Sequence, residues 1–239
     1  EDMLDFRDWW SERREQEELT ANSANKDFTH LGRVLKTVNQ LKRLGLALPL
    51  EGLRFKAGEA EQRPPFSDEW IRERLLAVGA LNRLNTEARC LLLGMINTGY
   101  RPSEGAGLLP GHIQLEGSVP HILIRPEGRQ LKTRPSKRTI PLAGVSLDAL
   151  RECRAGFPRY RDKPGLSATI NSFLRANGLM ESPEHVFYSL RHSFEDRLLA
   201  AGVDERVRRD LMGHALGRER YGIGATLEMA HSIIQQIAF

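Results

Sequence analysis

Apolar residues recur with helical spacing over most of the chain and with strand spacing over one short stretch. Leu4, Trp9 and Trp10 supply the apolar side of a helix expected over residues 2–18. Phe28, Leu31, Val34, Leu35, Val38 and Leu41 recur at spacings of three and four along a second helix, which Asn25 or Asp27 would cap and Gly45 would end. The pattern then breaks: residues 46–65 contain early Gly and Pro breakers and close on Pro64 and Pro65, the composition of an interdomain linker. Phe66 opens a second region, where Ser67 is placed to cap a helix with an acidic first turn. Further helices are expected over residues 86–97, just after Pro102, and over 147–155, 168–177, 189–201, 205–212 and 226–238. At 121–126 and 138–142 the period shifts to two, marking strands on either side of a basic turn. These elements predict a mostly α protein with one small antiparallel β-sheet (α+β). The expected organisation is a helical region over 1–48, a linker over 49–65 and a larger domain over 66–239.

Composition narrows the class. Of 239 residues, 40% are hydrophobic, enough for an ordinary core, and no apolar run approaches the ~20 residues of a membrane helix. The chain opens on an acidic segment at Glu1, without an initiator Met or the basic and apolar run of a secretory signal. It is therefore expected to be a piece of a longer, cytoplasmic protein. Cys90 and Cys153 are too few for a disulfide framework and are expected as buried free thiols. The net charge of +4 hides an asymmetry: residues 1–20 are acidic, whereas residues 121–163 hold eleven Lys and Arg against four Asp and Glu. Such a stretch suits a polyanion, although a solvated basic surface would carry the same charge. Only seven of the 35 basic residues are lysine. The arginine bias fits phosphate contact, and it also fits a GC-rich genome.

There is no carboxylate cluster for a two-metal phosphoryl site, no CxxC pair, no HExxH and no P-loop, and His185, His192 and His214 have no zinc-ligand spacing. No cofactor or metal is expected. Phosphoryl chemistry would therefore rest on cations, hydrogen bonds and a protein nucleophile. Four fragments carry suitable groups: TGYRPSEGAGL (98–108), LKTRPSKRTIPL (131–142), YSLRHSFEDRLLAAGV (188–203) and LMGHALGRERYGIG (211–224). Singly each is weak, since a lone arginine is usually a surface residue and a lone tyrosine usually a packed ring.

Together, in this order, they resemble the tyrosine recombinase (phage integrase) family. The TGxRxxE motif of that family matches Thr98, Gly99, Arg101 and Glu104, and its hairpin lysine before an IPL-like strand matches Lys132 with Ile140, Pro141 and Leu142. Its HxxRHxF motif matches at Arg191, His192 and Phe194. Its later Gly-His matches Gly213 and His214, 23 residues after Arg191, and its tyrosine matches Tyr221, seven residues further on. The resemblance covers roughly residues 62–239. It implies a tyrosine-recombinase catalytic fold, and the two N-terminal helices look like the end of the family's core-binding, DNA-clamping domain. Three features depart from the pattern. Tyr188 stands where the family usually has histidine, with His185 one turn earlier as a substitute in space. The gap from His214 to Tyr221 is short, and Lys137 competes with Lys132.

The resemblance implies roles. Tyr221 attacks a DNA phosphorus to form a 3′-phosphotyrosine, and Lys132 protonates the leaving 5′-hydroxyl. Arg101 and Arg191 offer planar forks of donors to the non-bridging oxygens, and His214 assists with a hydrogen bond or a proton. Arg134, Lys137 and Arg138 are expected to contact DNA from the hairpin. The implied partner is double-stranded DNA bound by a ring of four protomers, with the last helix docking either on its own domain or on a neighbour. A type IB topoisomerase would use a similar residue set. A binding-only descendant would be marked by Tyr188, and a helical scaffold would leave the ordered Arg, Lys, Arg, His, Tyr series without purpose.

Overall fold

The computed structural model describes residues 2–56, 63–127, 136–219 and 222–239, and the chain divides into two compact units, Glu1–Gln62 and Arg63–Phe239. In the first, α1 (Asp2–Gln16) and α2 (Ala21–Lys42) enclose a small core of Trp10, Ala24, Phe28 and Leu53. Thr20, rather than Asn25 or Asp27, caps α2 by accepting from the Ser23 N–H. Asn25 instead pairs through both ends of its amide with the backbone of Phe55, at 2.9 Å each. The stretch after α2 is thereby folded back, so the region expected to be a linker begins as part of this unit, with Leu53 buried in its core. Of the apolar stripe on α2 only Phe28 is buried, while Val34, Val38 and Leu41 stay exposed, as do Leu4 and Trp9 on α1. Helical periodicity marks an apolar face but does not say how much of it another element covers.

The first helix of the second unit, α3 (Asp68–Trp70), is capped by the Ser67 hydroxyl, and the chain continues through a π-helical turn, Ile71–Leu75. At its centre runs α4 (Thr86–Ile96), capped by Asn85 and buried at Ala88, Cys90, Leu91, Leu92, Met95 and Ile96. A helix apolar on nearly every side must be surrounded, and α4 packs against α6 (Gly144–Glu152), α7 (Leu166–Ala176) and α8 (Ser189–Ala200). A short α5 (Pro102–Ala106) follows α4. The sheet is three antiparallel strands in the order β1 (Ile113–Gln114), β2 (His121–Ile124), β3 (Arg138–Pro141), with Ile122 opposite Ile140. Ile122, Ile124 and Ile140 point into the core while His121 and Leu123 are half-exposed, the alternation the sequence carries. β1 was not anticipated, because two residues show no period.

The chain closes with α9 (Glu205–Met212) and α10 (Leu227–Ile237). Here α10 packs on its own unit, against β3 and α8, with Ala230 and Ile234 buried. Its exit is pinned by Asn97, whose amide nitrogen donates to the carbonyls of Ala143 and Phe239. The fold is thus mostly α with one small antiparallel sheet. Cys90 and Cys153 are free and buried, and burial pushes both thiols above their usual range. Among the described residues no helix is long and apolar enough to cross a membrane.

Candidate active site

The loop after α4 is shaped by a ring. Tyr100 is fully buried, its hydroxyl donating to the Leu91 carbonyl at 2.8 Å, and it lies between two glycines. A Cβ on Gly94 would stand 2.3 Å from the Tyr100 hydroxyl and one on Gly105 would stand 2.4 Å from its ring. This wedge sets the turn from α4 into α5, and Arg101 sits at the turn's edge as the N-cap of α5. Glu104, three residues on, reaches back to the Arg101 N–H at 2.8 Å and to its Nη1 at 2.6 Å, the reciprocal pattern of a capped helix start.

Glu104 is itself buried and faces a second arginine. Arg138, at the start of β3, donates from Nη1 and Nη2 to the two carboxylate oxygens at 3.1 and 2.8 Å. Burial alone would raise the Glu104 pKa. The Arg138 hydrogen bonds and charge, then those of Arg101, outweigh it and hold the carboxyl at about 2. Arg138 was expected among the DNA contacts. It is 8% exposed, and its remaining donors go to the carbonyls of Leu211 (2.7 Å) and Ser136 (2.9 Å), so it faces the interior.

Arg191, in the first turn of α8, is 1% exposed. Its Nη1 donates to the Gly99 carbonyl and its Nη2 to the Met212 carbonyl and to His214 Nε2 at 3.0 Å. Burial first, with the Arg101 and Arg138 charges adding, lowers its pKa to about 10, so it remains a cation at neutral pH. Because His214 Nε2 receives a guanidinium N–H, its ring proton lies on Nδ1. Burial and then Arg191 keep the imidazole neutral by lowering its pKa. Gly213 makes this possible: its φ is +65°, and a Cβ there would stand 2.6 Å from Arg138 Nη1. Arg101, Arg191 and His214 are thereby brought to one side of the unit through Gly99, Glu104 and the end of α9.

Beside them opens a cleft of about 770 Å³ lined by Arg101, Ser103, Tyr160, Lys163, Ser167 and Tyr188. Tyr188, the N-cap of α8, therefore stands with Arg101, and its ring meets His192 edge-on at 5.5 Å. Burial lowers the pKa of His192 as well. His185 is not a stand-in for the missing histidine. It is buried against Phe66, accepts from the Ser182 N–H at Nδ1 and pairs through Nε2 with the Pro65 carbonyl at 3.0 Å. Lys137 is exposed. Lys132, Arg134 and Tyr221 lie outside the described residues. After Tyr221 the chain is tied at Gly222, whose carbonyl accepts from Arg206 at 2.7 Å. Sequence reasoning matched Glu104 without giving it work; its position three residues after a cap was the available signal. The lining from Tyr160 to Ser167 had no local signature.

Residues 72–219 match the model of the phage integrase family. The chain is 31% identical over 147 residues to tyrosine recombinase XerD of Mycobacterium leprae, covering 53% of this chain and 44% of that protein. It is 27% identical over 210 residues to tyrosine recombinase XerC of Mesorhizobium japonicum, covering 77% and 64%. It thus spans less than two thirds of the length of either relative. Among solved structures, the Tn1549 transposon integrase in complex with transposon right end DNA superposes with a TM-score of 0.62 at 18% identity, over 97% of this chain and 80% of that one. A lambda integrase dimer bound to a core site gives 0.59 at 13% identity, over 94% and 82%. Both are likenesses of fold.

Proposed function

This chain belongs to the phage integrase family, and from that premise we propose that it cleaves and rejoins double-stranded DNA at a specific site through a 3′-phosphotyrosine on Tyr221. The observation that carries the reading is the convergence of Arg101, Arg191 and His214, with Arg191 bound to His214 at 3.0 Å and to the carbonyl of Gly99, two residues before Arg101. Two guanidinium groups drawn to one side of the unit, Arg101 lining the cleft and Arg191 buried against the Gly99 carbonyl, stabilise the charge that gathers on a pentacoordinate phosphate, an effect of about 2.7–4 kcal/mol per donor. His214 presents Nδ1–H as a further donor. Lys132 delivers the proton that the departing 5′-hydroxyl requires, and Lys137 and Arg134 hold flanking phosphates. Tyr188 donates its phenolic O–H to the same phosphate. A phenol offers a phosphate oxygen an O–H donor rather than a base. The phosphotyrosine conserves the energy of the phosphodiester, so a 5′-hydroxyl from another strand reverses the step without ATP.

In this reading residues 66–239 are the catalytic domain, residues 1–48 belong to a helical core-binding domain that clamps the duplex from the other side, and four protomers assemble on DNA. The test is capture of covalent protein–DNA adducts under denaturing conditions. The probe is a pool of nicked duplexes from the genome that encodes the protein, offered to the chain and to Tyr221→Phe. An adduct mapping to Tyr221 and absent from the variant is expected, with DNA binding equal in both. Equal binding and no adduct from either would leave a binding protein and sink the catalytic reading.

A further inference from the structure

The Arg101 turn and the end of α9 are both tied to one buried side chain that lies outside the cleft lining. Arg138 is buried, and each of its three nitrogens is used. Nε holds the Leu211 carbonyl at 2.7 Å, Nη1 holds Glu104 Oε1 at 3.1 Å and the Ser136 carbonyl at 2.9 Å, and Nη2 holds Glu104 Oε2 at 2.8 Å. Glu104 in turn fixes Arg101 at both its backbone N–H and its guanidinium. On the other side, Leu211 and Met212 offer successive carbonyls, the first to Arg138 and the second to Arg191. The space where a Cβ of residue 213 would stand is filled by the Arg138 guanidinium. From this geometry we propose that Arg138 is a positioning residue, a planar bracket that fixes the spacing between Arg101 on the α5 loop and His214 at the end of α9.

The inference rests on the recombinase reading and adds to it a residue whose work is alignment. The shape of the side chain matters as much as its charge. A lysine ammonium is a point donor and cannot span Leu211, Ser136 and both Glu104 oxygens at once. A misplacement of about 1 Å in a site of this kind costs about 100-fold in rate. The bracket also governs protonation. Glu104 is faced by Arg138 from β3, by Arg101 from its own loop and, at longer range, by Arg191 from α8. Removing Arg138 takes away the strongest of the effects that hold the carboxyl ionised while leaving burial, which favours the protonated form. A protonated Glu104 releases Arg101, so the variant's rate should climb with pH on the acid side of neutrality, where the natural chain's carboxylate is already fully ionised.

The experiment uses the full chain and a nicked duplex carrying the sequence recovered from its own adducts. It measures single-turnover adduct formation at saturating DNA, DNA affinity and thermal unfolding. Arg138→Met is expected to form adduct about 100-fold more slowly with affinity within about twofold, and to gain an acid limb in its pH–rate profile that Glu104→Gln in the same background removes. Arg138→Lys, which keeps the charge and serves if the Met variant does not fold, is expected to be about tenfold slow with affinity likewise unchanged. Folded Arg138 variants that react at the natural rate with the natural pH profile would overturn the inference alone. Variants that lose affinity and rate in parallel, with no acid limb, would also overturn it by making Arg138 a DNA contact or a general structural prop. An absence of adduct from the natural chain would overturn the recombinase reading and this inference with it.

Discussion

Arg138 and Arg191 hold successive carbonyls of one turn, yet their surroundings differ in kind. Arg138 meets a carboxylate squarely, and the pair is compensated in place. Arg191 meets two carbonyls and a neutral imidazole, and among the described residues no carboxylate lies within ion-pair distance of it. Burial accordingly depresses its pKa to about 10 while Glu104 is driven down to about 2. A buried cation without a counter-ion is costly, and carbonyl dipoles offset only part of that cost. A matched pair serves the scaffold. An unmatched buried charge fits a site completed by an anion from outside, as the proposed function requires.

The largest test of this contrast sets Arg191→Met beside Arg138→Met. The first should lose about 10²–10³-fold in adduct formation while its stability holds or rises, because the apolar chain replaces an uncompensated charge. The second should lose about 3 kcal/mol by stranding Glu104. Denaturant unfolding beside the adduct rate measures both, and equal destabilisation by the two would break the comparison. Next in size is acid. The Glu104 carboxyl is depressed in the fold, so its stabilisation is present above the ordinary carboxylate pKa of about 4.5 and is lost as pH falls through about 2. The loss should be on the order of 3 kcal/mol, and Glu104→Gln should remove that component from an acid titration of stability. Arg191 has the opposite sign, since the fold disfavours its charged form at every working pH. Smallest is Gly213→Ala. It places a methyl where Arg138 lies and demands a left-handed backbone of alanine, at about 1–2 kcal/mol, which thermal unfolding would register. Its adduct rate should fall less than that of Arg138→Met.

The contrast also explains what could be read in advance. Strands showed because Ile122 and Ile124, and again Ile140 and Leu142, stand two residues apart, and α4 showed from the cluster of Cys90, Leu91, Leu92, Leu93 and Met95. The approach of Arg101, Arg191 and His214 to one another was legible because short motifs carry them in order. Arg138 was misplaced on the DNA face because its partner is 34 residues away, and no local pattern marks a long-range ion pair. His185 lies nearer in sequence to the expected histidine position than the fold allows it to act, because Ser182 and Pro65 occupy its ring. In the first unit the stripe on α2 announced a buried face, and only Phe28 lies in the core, since periodicity reports a helix's own pattern and is silent on the extent of its neighbour.

The wedge at Tyr100 has a consequence for how such a chain changes over time. Positions 94, 100 and 105 share one volume: the ring fills what two missing side chains leave empty. A larger residue at either glycine collides with the ring, and a smaller residue at 100 opens a void between α4 and α5. Drift at any one of the three is admissible only with a matching change at the others. The turn that presents Arg101 therefore depends on all three positions together.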